Sequence, residues 1–305
     1  MSNTVVRVEE LRKTYGPVTA VDGISFEVYE GEIFGIVGPN GAGKTTALEC
    51  IEGLRSPDGG HIEVLGLDHG QDQYEIRERI GTQLQESALN ARIKVWEALD
   101  LFAAFYRRSV PWRPLLDQLG LTEKMNAPFA KLSGGQKQRL FIALSLVNDP
   151  ELVFLDELTT GLDPHARRLM WDLLLDIRER GKTIVLSTHF MEEAERLCDR
   201  VAIIDRGRVV ALDSPRNLVH GLGGDSRLSF AVEGNCEVGV LNGLDSVTRV
   251  EAKGKQLTVY GSGSEMAAQV TNALAMNSVR FHDLKTEQAT LEDVFLALTG
   301  REIRD

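Results

Sequence analysis

The sequence predicts an α/β protein whose core is a largely parallel sheet, followed by a smaller α+β domain. Three short, almost continuously apolar runs, Ile33 to Val37, Leu152 to Leu155 and Thr183 to Leu186, have the composition of strands buried on both faces of a sheet. Helical patterns lie between these runs, and that alternation is typical of parallel sheets. Polar residues follow each run directly, at the strand ends where open α/β sheets bind ligands.

Length and charge limit the function classes. A chain of 305 residues exceeds the usual size of one domain and predicts one large domain or two unequal ones. The formal net charge of −11 opposes a general affinity for nucleic acid, because phosphates attract dense Lys and Arg. No general nucleic-acid binding is therefore expected.

The region from about residue 87 to residue 148 is mostly helical in pattern. Apolar residues recur at Val95, Leu99, Phe102 and Phe105 with helical spacing. The region is interpreted as a helical subdomain inserted into the α/β core. The apolar stripe is expected to be packed core, with a partner-binding face as the alternative.

A second domain is expected after a change of texture beyond Pro215. The segment GLGGDS, residues 221–226, predicts a flexible boundary, so the domains are expected to span residues 1–220 and 221–305. Strands are predicted at residues 227–232, 247–252, 256–260 and 279–284, and helices at residues 266–274 and 291–298. No catalytic constellation stands out in this α+β tail.

The cysteines and the apolar segments give mainly negative indications. Cys50, Cys198 and Cys236 are far apart, odd in number and outside any CxxC spacing, which predicts small buried side chains rather than a disulfide framework or metal site. The start of the chain reaches charged residues too early for a signal peptide. Apolar runs such as Phe141 to Val147 are far shorter than the roughly 20 residues of a membrane helix. Any path through a membrane is expected to come from another chain.

A glycine-rich segment, GPNGAGKTT, follows the first apolar strand and precedes a helical pattern. It fits the G-x-x-x-x-G-K-[ST] spacing of a phosphate-binding loop, in which glycines let backbone N–H groups approach phosphate oxygens. Lys44 is expected to reach the β and γ phosphates, and the Thr45 hydroxyl to ligate Mg²⁺. The alternative is a glycine-rich turn that only caps a helix. The residues expected to contact the nucleotide here are Gly38, Pro39, Asn40, Gly41, Ala42, Gly43, Lys44, Thr45 and Thr46.

Two carboxylates end the second apolar strand, in the segment LVFLDE. Asp156 is expected to hold Mg²⁺, which prefers oxygen ligands, and Glu157 to orient and polarise the attacking water. His189 ends the third strand, in LSTH, where an imidazole could hydrogen-bond a γ-phosphate or that water. Solvated acids and a structural histidine are the alternatives.

The segment LSGGQKQR, Leu132 to Arg139, predicts a second phosphate-binding helix start. Ser133 can cap the helix, and the exposed N–H groups that follow can face phosphate. An ordinary glycine-linked helix cap is the alternative. The residues expected to contact nucleotide in this segment are Ser133, Gly134, Gly135 and Gln136.

Taken in order, GPNGAGKTT, LSGGQ, LVFLDE, GLD and the histidine of LSTH make the chain resemble the ATP-binding cassette (ABC) ATPases over roughly its first 215 residues. The resemblance implies a P-loop NTPase core with a helical subdomain, using ATP and Mg²⁺. It implies that Gln85 contacts Mg²⁺ and the membrane partner, and that Tyr15 stacks on adenine. From the residues alone, Tyr15 would be a packed strand aromatic.

The same resemblance implies a head-to-tail dimer. The family signature LSGGQ of one subunit, which begins the predicted signature helix, would close over ATP bound by the other, with Asp163 crossing the interface. One position departs from the family: cassettes commonly have proline after the catalytic glutamate, where this chain has Leu158. We expect an altered loop stiffness there and no loss of hydrolysis.

The C-terminal segment ATLEDVFLALTGR, residues 289–301, resembles the ending of ATPases from ABC-2 type drug exporters, including the daunorubicin-resistance group. The expected function is therefore an ATP-hydrolysing subunit that works with a second ATP-binding subunit as a homodimer, peripheral to the cytoplasmic face of the membrane. It would power export of a drug, lipid or other hydrophobic substrate through a separate permease. The alternatives are a soluble cassette ATPase of DNA repair or translation and a non-hydrolysing regulatory module.

Overall fold

The computed structural model describes residues 3–83, 89–221, 226–233, 239–261 and 265–300. They form two compact units, the first ending at Leu212 and the second beginning at Asp213. This division precedes the expected domain boundary because the helix Pro215–His220 packs against the C-terminal helix Leu291–Thr299. Most of the expected linker, residues 222–225, lies outside the described residues.

The first unit combines two sheets with helices. Its elements in chain order are β1 (Thr4–Tyr15), β2 (Val18–Tyr29), β3 (Ile33–Val37), α1 (Lys44–Ile51), β4 (Gly59–Val64), β5 (Leu67–Asp68), α2 (Gln73–Arg79), β6 (Ile80–Gln83), α3 (Val95–Ala103), α4 (Trp112–Gln118), 3-10 turns at Thr122–Lys124 and Phe129–Lys131, α5 (Gly134–Leu146), β7 (Leu152–Asp156), α6 (Pro164–Glu179), β8 (Thr183–Thr188), α7 (Met191–Leu197), β9 (Arg200–Asp205) and β10 (Arg208–Asp213).

The central sheet has the strand order β10-β9-β3-β8-β7-β6, and the pairings from β9 through β6 are parallel. Every residue of β3, β7 and β8 is buried, as expected for strands covered on both faces. The carboxyl ends of β3, β7 and β8 therefore lie side by side. The predicted α/β class and its three apolar strands are confirmed.

A second, antiparallel sheet has the strand order β2-β1-β4-β5. Its longest pairing, β1 with β2, contains several register shifts. Apolar side chains of this sheet share one hydrophobic core with α1 and with one face of the parallel sheet. This core fixes α1, and with it the loop that precedes α1, against the sheet.

The helices α3, α4 and α5 fall within the region expected to be a helical subdomain. Val95 and Leu99 of the apolar stripe are fully buried. Phe105, at the end of the stripe, is 66% exposed, so the expectation that the whole stripe is packed core is wrong there. The helix ends at Ala103, and Phe105 follows in a turn, with its ring centroid 5.8 Å from that of Phe102.

The second unit places helices against an antiparallel sheet of order β12-β13-β11-β14. The βαββαβ succession and this strand order are those of a ferredoxin-like unit, and the strands and helices predicted for the tail are present. Its elements are α8 (Pro215–His220), β11 (Ser226–Glu233), α9 (Gly239–Asn242), β12 (Val247–Lys253), β13 (Gln256–Gly261), α10 (Met266–Met276), β14 (Arg280–Gln288) and α11 (Leu291–Thr299).

Among the described residues, no helix combines the length and the apolar character that crossing a membrane requires. Cys50 and Cys198 are buried free thiols, as expected. Cys236 lies outside the described residues.

Candidate active site

The loop from Gly38 to Gly43 joins β3 to α1 in a backbone path that two of its glycines make possible. Gly43 has φ of 104°, and a Cβ at this position would lie 2.2 Å from the Ala20 carbonyl oxygen. A Cβ at Gly38 would lie 2.2 Å from the carbonyl oxygen of Ile204. Any other residue would push the loop off its neighbours, so the sequence GPNGAGK folds here as a close-fitting cradle.

Hydrogen bonds within the loop and to its surroundings fix this path. The Gly38 N–H donates to the Thr188 carbonyl at 3.3 Å, and the Ala42 N–H donates to the Pro39 carbonyl at 3.2 Å. The Ala42 carbonyl accepts from the Gly207 N–H at 2.8 Å. Asn40 and Gly41 form the exposed tip, and Thr46 lies partly buried in the first turn of α1.

Lys44 begins α1 and is almost fully buried. Its Nζ donates to the Pro39 carbonyl at 3.1 Å and lies 3.5 Å from Glu157 Oε1. Burial lowers the pKa of Lys44, and the nearby Glu157 and Asp156 carboxylates oppose that shift. A buried ammonium is costly unless it forms charged hydrogen bonds. Lys44 still has donor capacity besides its contact with Glu157, and the oxygens of a phosphate can accept those hydrogen bonds.

Thr45 and Asp156 join the loop to the end of β7. The Thr45 hydroxyl donates to Asp156 Oδ1 at 3.3 Å, and the Ser187 hydroxyl donates to the same oxygen. Burial raises the pKa of Asp156, and these two hydrogen bonds oppose the rise. The result is a hydroxyl and a carboxylate side by side, which are the hard oxygen donors that Mg²⁺ prefers.

Glu157 adopts a backbone conformation that is uncommon outside glycine, with φ of 47°. This region costs a non-glycine residue roughly 1 to 2 kcal/mol. Its N–H donates to the Ser187 carbonyl at 3.1 Å and to the Ser187 hydroxyl at 3.2 Å, and its Oε2 accepts from the Thr160 hydroxyl at 3.3 Å. These hydrogen bonds stabilise the turn. Leu158, which stands where cassettes usually have proline, is buried directly beyond it.

His189 follows β8 and faces the same carboxylate. Its Nδ1 lies 3.3 Å from Glu157 Oε1, in an alignment too poor for a hydrogen bond. The ring of Phe190 lies 4.1 Å from the imidazole, centroid to centroid. Lys44, Thr45, Asp156, Glu157 and His189 are thus brought together at the carboxyl ends of three adjacent strands.

The LSGGQ segment begins α5 with the cap expected of it. The Gln136 N–H donates to Ser133 Oγ at 3.3 Å, and the Ser133 N–H donates to Gln136 Oε1 at 2.9 Å, forming a capping box. Gly134 and Gly135 occupy the first helical positions with an open approach at Gly134. The hydrogen bonds described for Ser133 and Gln136 are those of this cap, within the segment itself.

Asp163 and Tyr15 lie apart from the cluster of buried charges. Asp163 caps α6, because its Oδ1 accepts from the His165 and Ala166 N–H groups at 2.9 Å each. Tyr15 is 41% exposed at the end of β1. Lys13 and Arg55 lie 5.7 Å and 5.6 Å from its ring centroid. Tyr15 is thus a partly exposed aromatic with two cations over its ring.

Gln85, expected to contact Mg²⁺ and a membrane partner, lies outside the described residues. The strand before it, β6, pairs with β7, with Gln83 opposite Leu155.

Three contributors were missed in the sequence. Ser187 and Thr160 hydrogen-bond the two carboxylates, and the only local signal was a polar residue inside or just after an apolar run. Glu52, at the end of α1, is 2% exposed, and neither of its carboxyl oxygens has a hydrogen-bond partner among the described residues. Burial raises its pKa to about 9, with Asp156 and Glu49 adding to the rise. No local pattern distinguishes it from a solvated helix glutamate.

Comparisons with known proteins agree with this geometry. The ABC transporter family model matches residues 21–160. The chain is 41% identical, over its whole length and 96% of the relative, to Nod factor export ATP-binding protein I of Ralstonia nicotianae. It resembles a Clostridium perfringens structure, part of the ABC transporter complex cbiONQ, at 29% identity and TM-score 0.65, covering 72% of this chain and 91% of that one.

A further solved structure is informative about nucleotide. It is a dimeric ATP-binding cassette in a post-hydrolysis state, bound to ADP and phosphate. Identity is 28% and the TM-score 0.63, over 68% of this chain and 98% of that one.

Proposed function

The chain belongs to the ATP-binding subunits of ABC transporters, and from that membership we propose that it powers export through a separate membrane permease. It is an ATPase whose hydrolysis is coupled to transport. The observation that carries the proposal is the meeting of Lys44, Thr45, Asp156, Glu157 and His189 at one edge of the parallel sheet.

The proposed roles follow from these contacts. Lys44 and the loop N–H groups bind the β and γ phosphates, since a buried ammonium and the N–H groups at a helix start both attract anions. Glu157 orients and polarises the attacking water, because its Oε1 is already shared between Lys44 and His189. His189 contacts the γ-phosphate or that water. Tyr15, which is partly exposed at the end of β1, stacks on adenine.

The oxygen donors suit a divalent cation. The Thr45 hydroxyl oxygen and Asp156 Oδ1 are 3.3 Å apart. Thr45, Asp156 and Gln85 are proposed as the residues that hold Mg²⁺. The cation would neutralise charge on the triphosphate when bound. This chain's own part is to keep the Asp156 carboxylate oriented, which the Ser187 and Thr45 hydroxyls do.

A second copy of the chain is proposed to complete the site. The capped start of α5, in which Ser133 and Gln136 bond each other, places the N–H groups of Gly134 and Gly135 in the first helical turn, where the helix offers them no carbonyl. A phosphate presented by another subunit could be bound there. The dimeric cassettes among the similar structures support a head-to-tail homodimer, with Asp163 near the interface.

The permease is proposed to be of ABC-2 type, with contact near Gln85, and the chain to be peripheral on the cytoplasmic face of the membrane. The relatives named for Nod factor export and the ATLEDVFLALTGR ending support export as the direction. A drug, lipid or other hydrophobic molecule is the proposed cargo. The unit that ends at Leu212 would form the ATP-binding domain, and the unit that begins at Asp213 an accessory domain.

Affinity purification of the tagged chain from detergent-solubilised membranes of its source cells tests this pairing. We expect a multi-span membrane protein to copurify in comparable amounts and to be retained by the Glu157→Gln variant, since that change leaves the surface intact. Recovery of the chain only from the soluble fraction, bound to ribosomes or DNA, would instead favour a soluble cassette ATPase.

A further inference from the structure

His189 has no hydrogen bond at Nδ1 among the described residues, although that atom is 3.3 Å from Glu157 Oε1. The orientation of its imidazole therefore depends on packing. The ring that packs on it is Phe190, at 4.1 Å between centroids and an interplanar angle of 42°. Phe190 is itself fixed at the start of α7, where its N–H donates to the Thr188 hydroxyl at 3.0 Å.

Phe190 is also in contact with α6. The guanidinium carbon of Arg167 lies 4.0 Å from the centroid of the Phe190 ring, well within the range of a cation–π interaction. The Nε of Arg167 is buried and has no hydrogen-bond partner among the described residues. A cation in the first turns of a helix gains nothing from the helix dipole, so the aromatic face is the interaction that favours this placement.

The turn of α6 that carries Arg167 connects to two other parts of the proposed site. Asp163 caps it, and the Arg167 N–H donates to the Asp163 carbonyl at 2.9 Å. Ala166 lies against α5, the signature helix, since a Cβ built on Gly135 would be 3.7 Å from the Ala166 Cβ. The first turn of α6 thus contacts both the signature helix, through Ala166, and Phe190, through Arg167.

We propose that Arg167 and Phe190 are positioning residues that hold His189 against Glu157 and connect it to the first turn of α6. The inference rests on the proposed function, in which Glu157 directs water and the signature and Asp163 face the second subunit. A movement of the α6 start on dimer closure would shift Arg167, then Phe190, and so the imidazole. The hydrolytic groups of a subunit would thereby respond to what its own signature helix contacts.

The test is steady-state ATP hydrolysis by the purified full-length chain, together with equilibrium ATP binding and melting temperature. Phe190→Leu keeps an apolar side chain without the aromatic face. We expect it to lower kcat about tenfold, with ATP affinity unchanged, because a misplaced catalytic group costs rate rather than ground-state binding. Phe190→Tyr should restore most of kcat, and Arg167→Lys should retain more kcat than Arg167→Gln.

A double variant separates a linked pair from two independent effects. Arg167→Gln in the Phe190→Leu background should cause little further loss, since both changes break one interaction. The matched control is Arg196→Gln. Arg196 lies 5.6 Å from the Trp171 ring, a second cation–aromatic contact between α6 and α7, whereas the ring that packs on His189 is that of Phe190. This control should leave kcat near the parental value.

Parental kcat in Phe190→Leu overturns the proposal, as does an equal loss in Phe190→Tyr or in Arg196→Gln. Should Phe190→Leu fail to fold, the comparison of Arg167→Lys, Arg167→Gln and Arg196→Gln still decides the question. Glu157→Gln distinguishes failure of the proposed function from failure of the positioning role. If Glu157→Gln turns over normally, the catalytic assignment itself fails. If Glu157→Gln is inactive and Phe190→Leu is parental, only the positioning role fails.

Discussion

Lys44 Nζ lies 3.5 Å from Glu157 Oε1, and both side chains are buried. The carboxylate proposed to direct water therefore also contacts the ammonium proposed to bind phosphate. The two roles compete, because a phosphate that approaches Lys44 meets the negative charge of Glu157.

The first prediction follows from this competition. Glu157→Gln removes the charge and keeps the shape. The Kd for ATP should therefore be equal to that of the parent or lower, by up to about tenfold. Equilibrium titration with a fluorescent ATP analogue measures the Kd. Glu151→Gln, at the exposed other end of β7, is the control and should leave the Kd unchanged. Clearly weaker binding by Glu157→Gln would contradict the competition.

The Thr45 and Asp156 oxygens predict a magnesium dependence. Thr45→Ala removes one hydroxyl of the pair, and the Mg²⁺ concentration for half-maximal ATPase activity should rise about tenfold or more. Thr45→Ser, which keeps the hydroxyl, should stay near the parent. An identical Mg²⁺ midpoint in Thr45→Ala and the parent would exclude Thr45 from the cation site.

Gly43 predicts a stability effect that does not depend on nucleotide. Its φ of 104° and the Ala20 carbonyl 2.2 Å from a would-be Cβ leave no room for alanine. Gly43→Ala should lower the free energy of unfolding by about 3 kcal/mol, measured by urea denaturation.

Gly134→Ala is the control for this change. No atom lies within 4 Å of a Cβ at Gly134, and its backbone lies in a helix. Its free energy of unfolding should stay within about 0.5 kcal/mol of the parent. An equal loss in both variants would show that close packing at Gly43 is not the cause.

Glu52 predicts a pH dependence of stability. Its folded pKa is about 9 against an ordinary value of 4.5, because of burial first and then Asp156 and Glu49. Between these values the folded state keeps a proton that the unfolded state releases, so stability falls as pH rises. The resulting cost at pH 7 is roughly 3 kcal/mol.

Glu52→Gln removes this titration. The gain in unfolding free energy over the parent should be larger at pH 8 than at pH 5 by roughly 4 kcal/mol, measured by urea denaturation at both pH values. Glu123→Gln, on an exposed turn, should show the same small effect at both. A Glu52→Gln gain that does not change with pH would mean that this carboxyl is ionised in the folded protein.

The sequence predicted the features that are local. Strands β3, β7 and β8 are uninterrupted apolar runs, and the phosphate loop is a fixed spacing of glycines, so each is recognisable within one short window. The antiparallel sheet was not predicted, because register shifts between β1 and β2 disturb the alternation that identifies a half-buried strand.

Long-range contacts explain the remaining differences. Ser187 lies opposite Asp156 on the paired strand β8 and hydrogen-bonds its carboxylate. The sequence of neither strand specifies this pairing. Glu52 is buried by what packs on α1, although its type is usually exposed. Phe105 continues an apolar spacing beyond the point where the helix ends, so the periodicity alone misassigned it.

The central claim is that this chain hydrolyses ATP with Glu157 directing the water. Phosphate release from Mg-ATP by the purified protein, with its membrane partner if turnover requires one, tests it most directly. The parent should release phosphate continuously, and Glu157→Gln should be slower by about a hundredfold or more while still binding ATP. Release by Glu157→Gln at the parental rate would contradict the account.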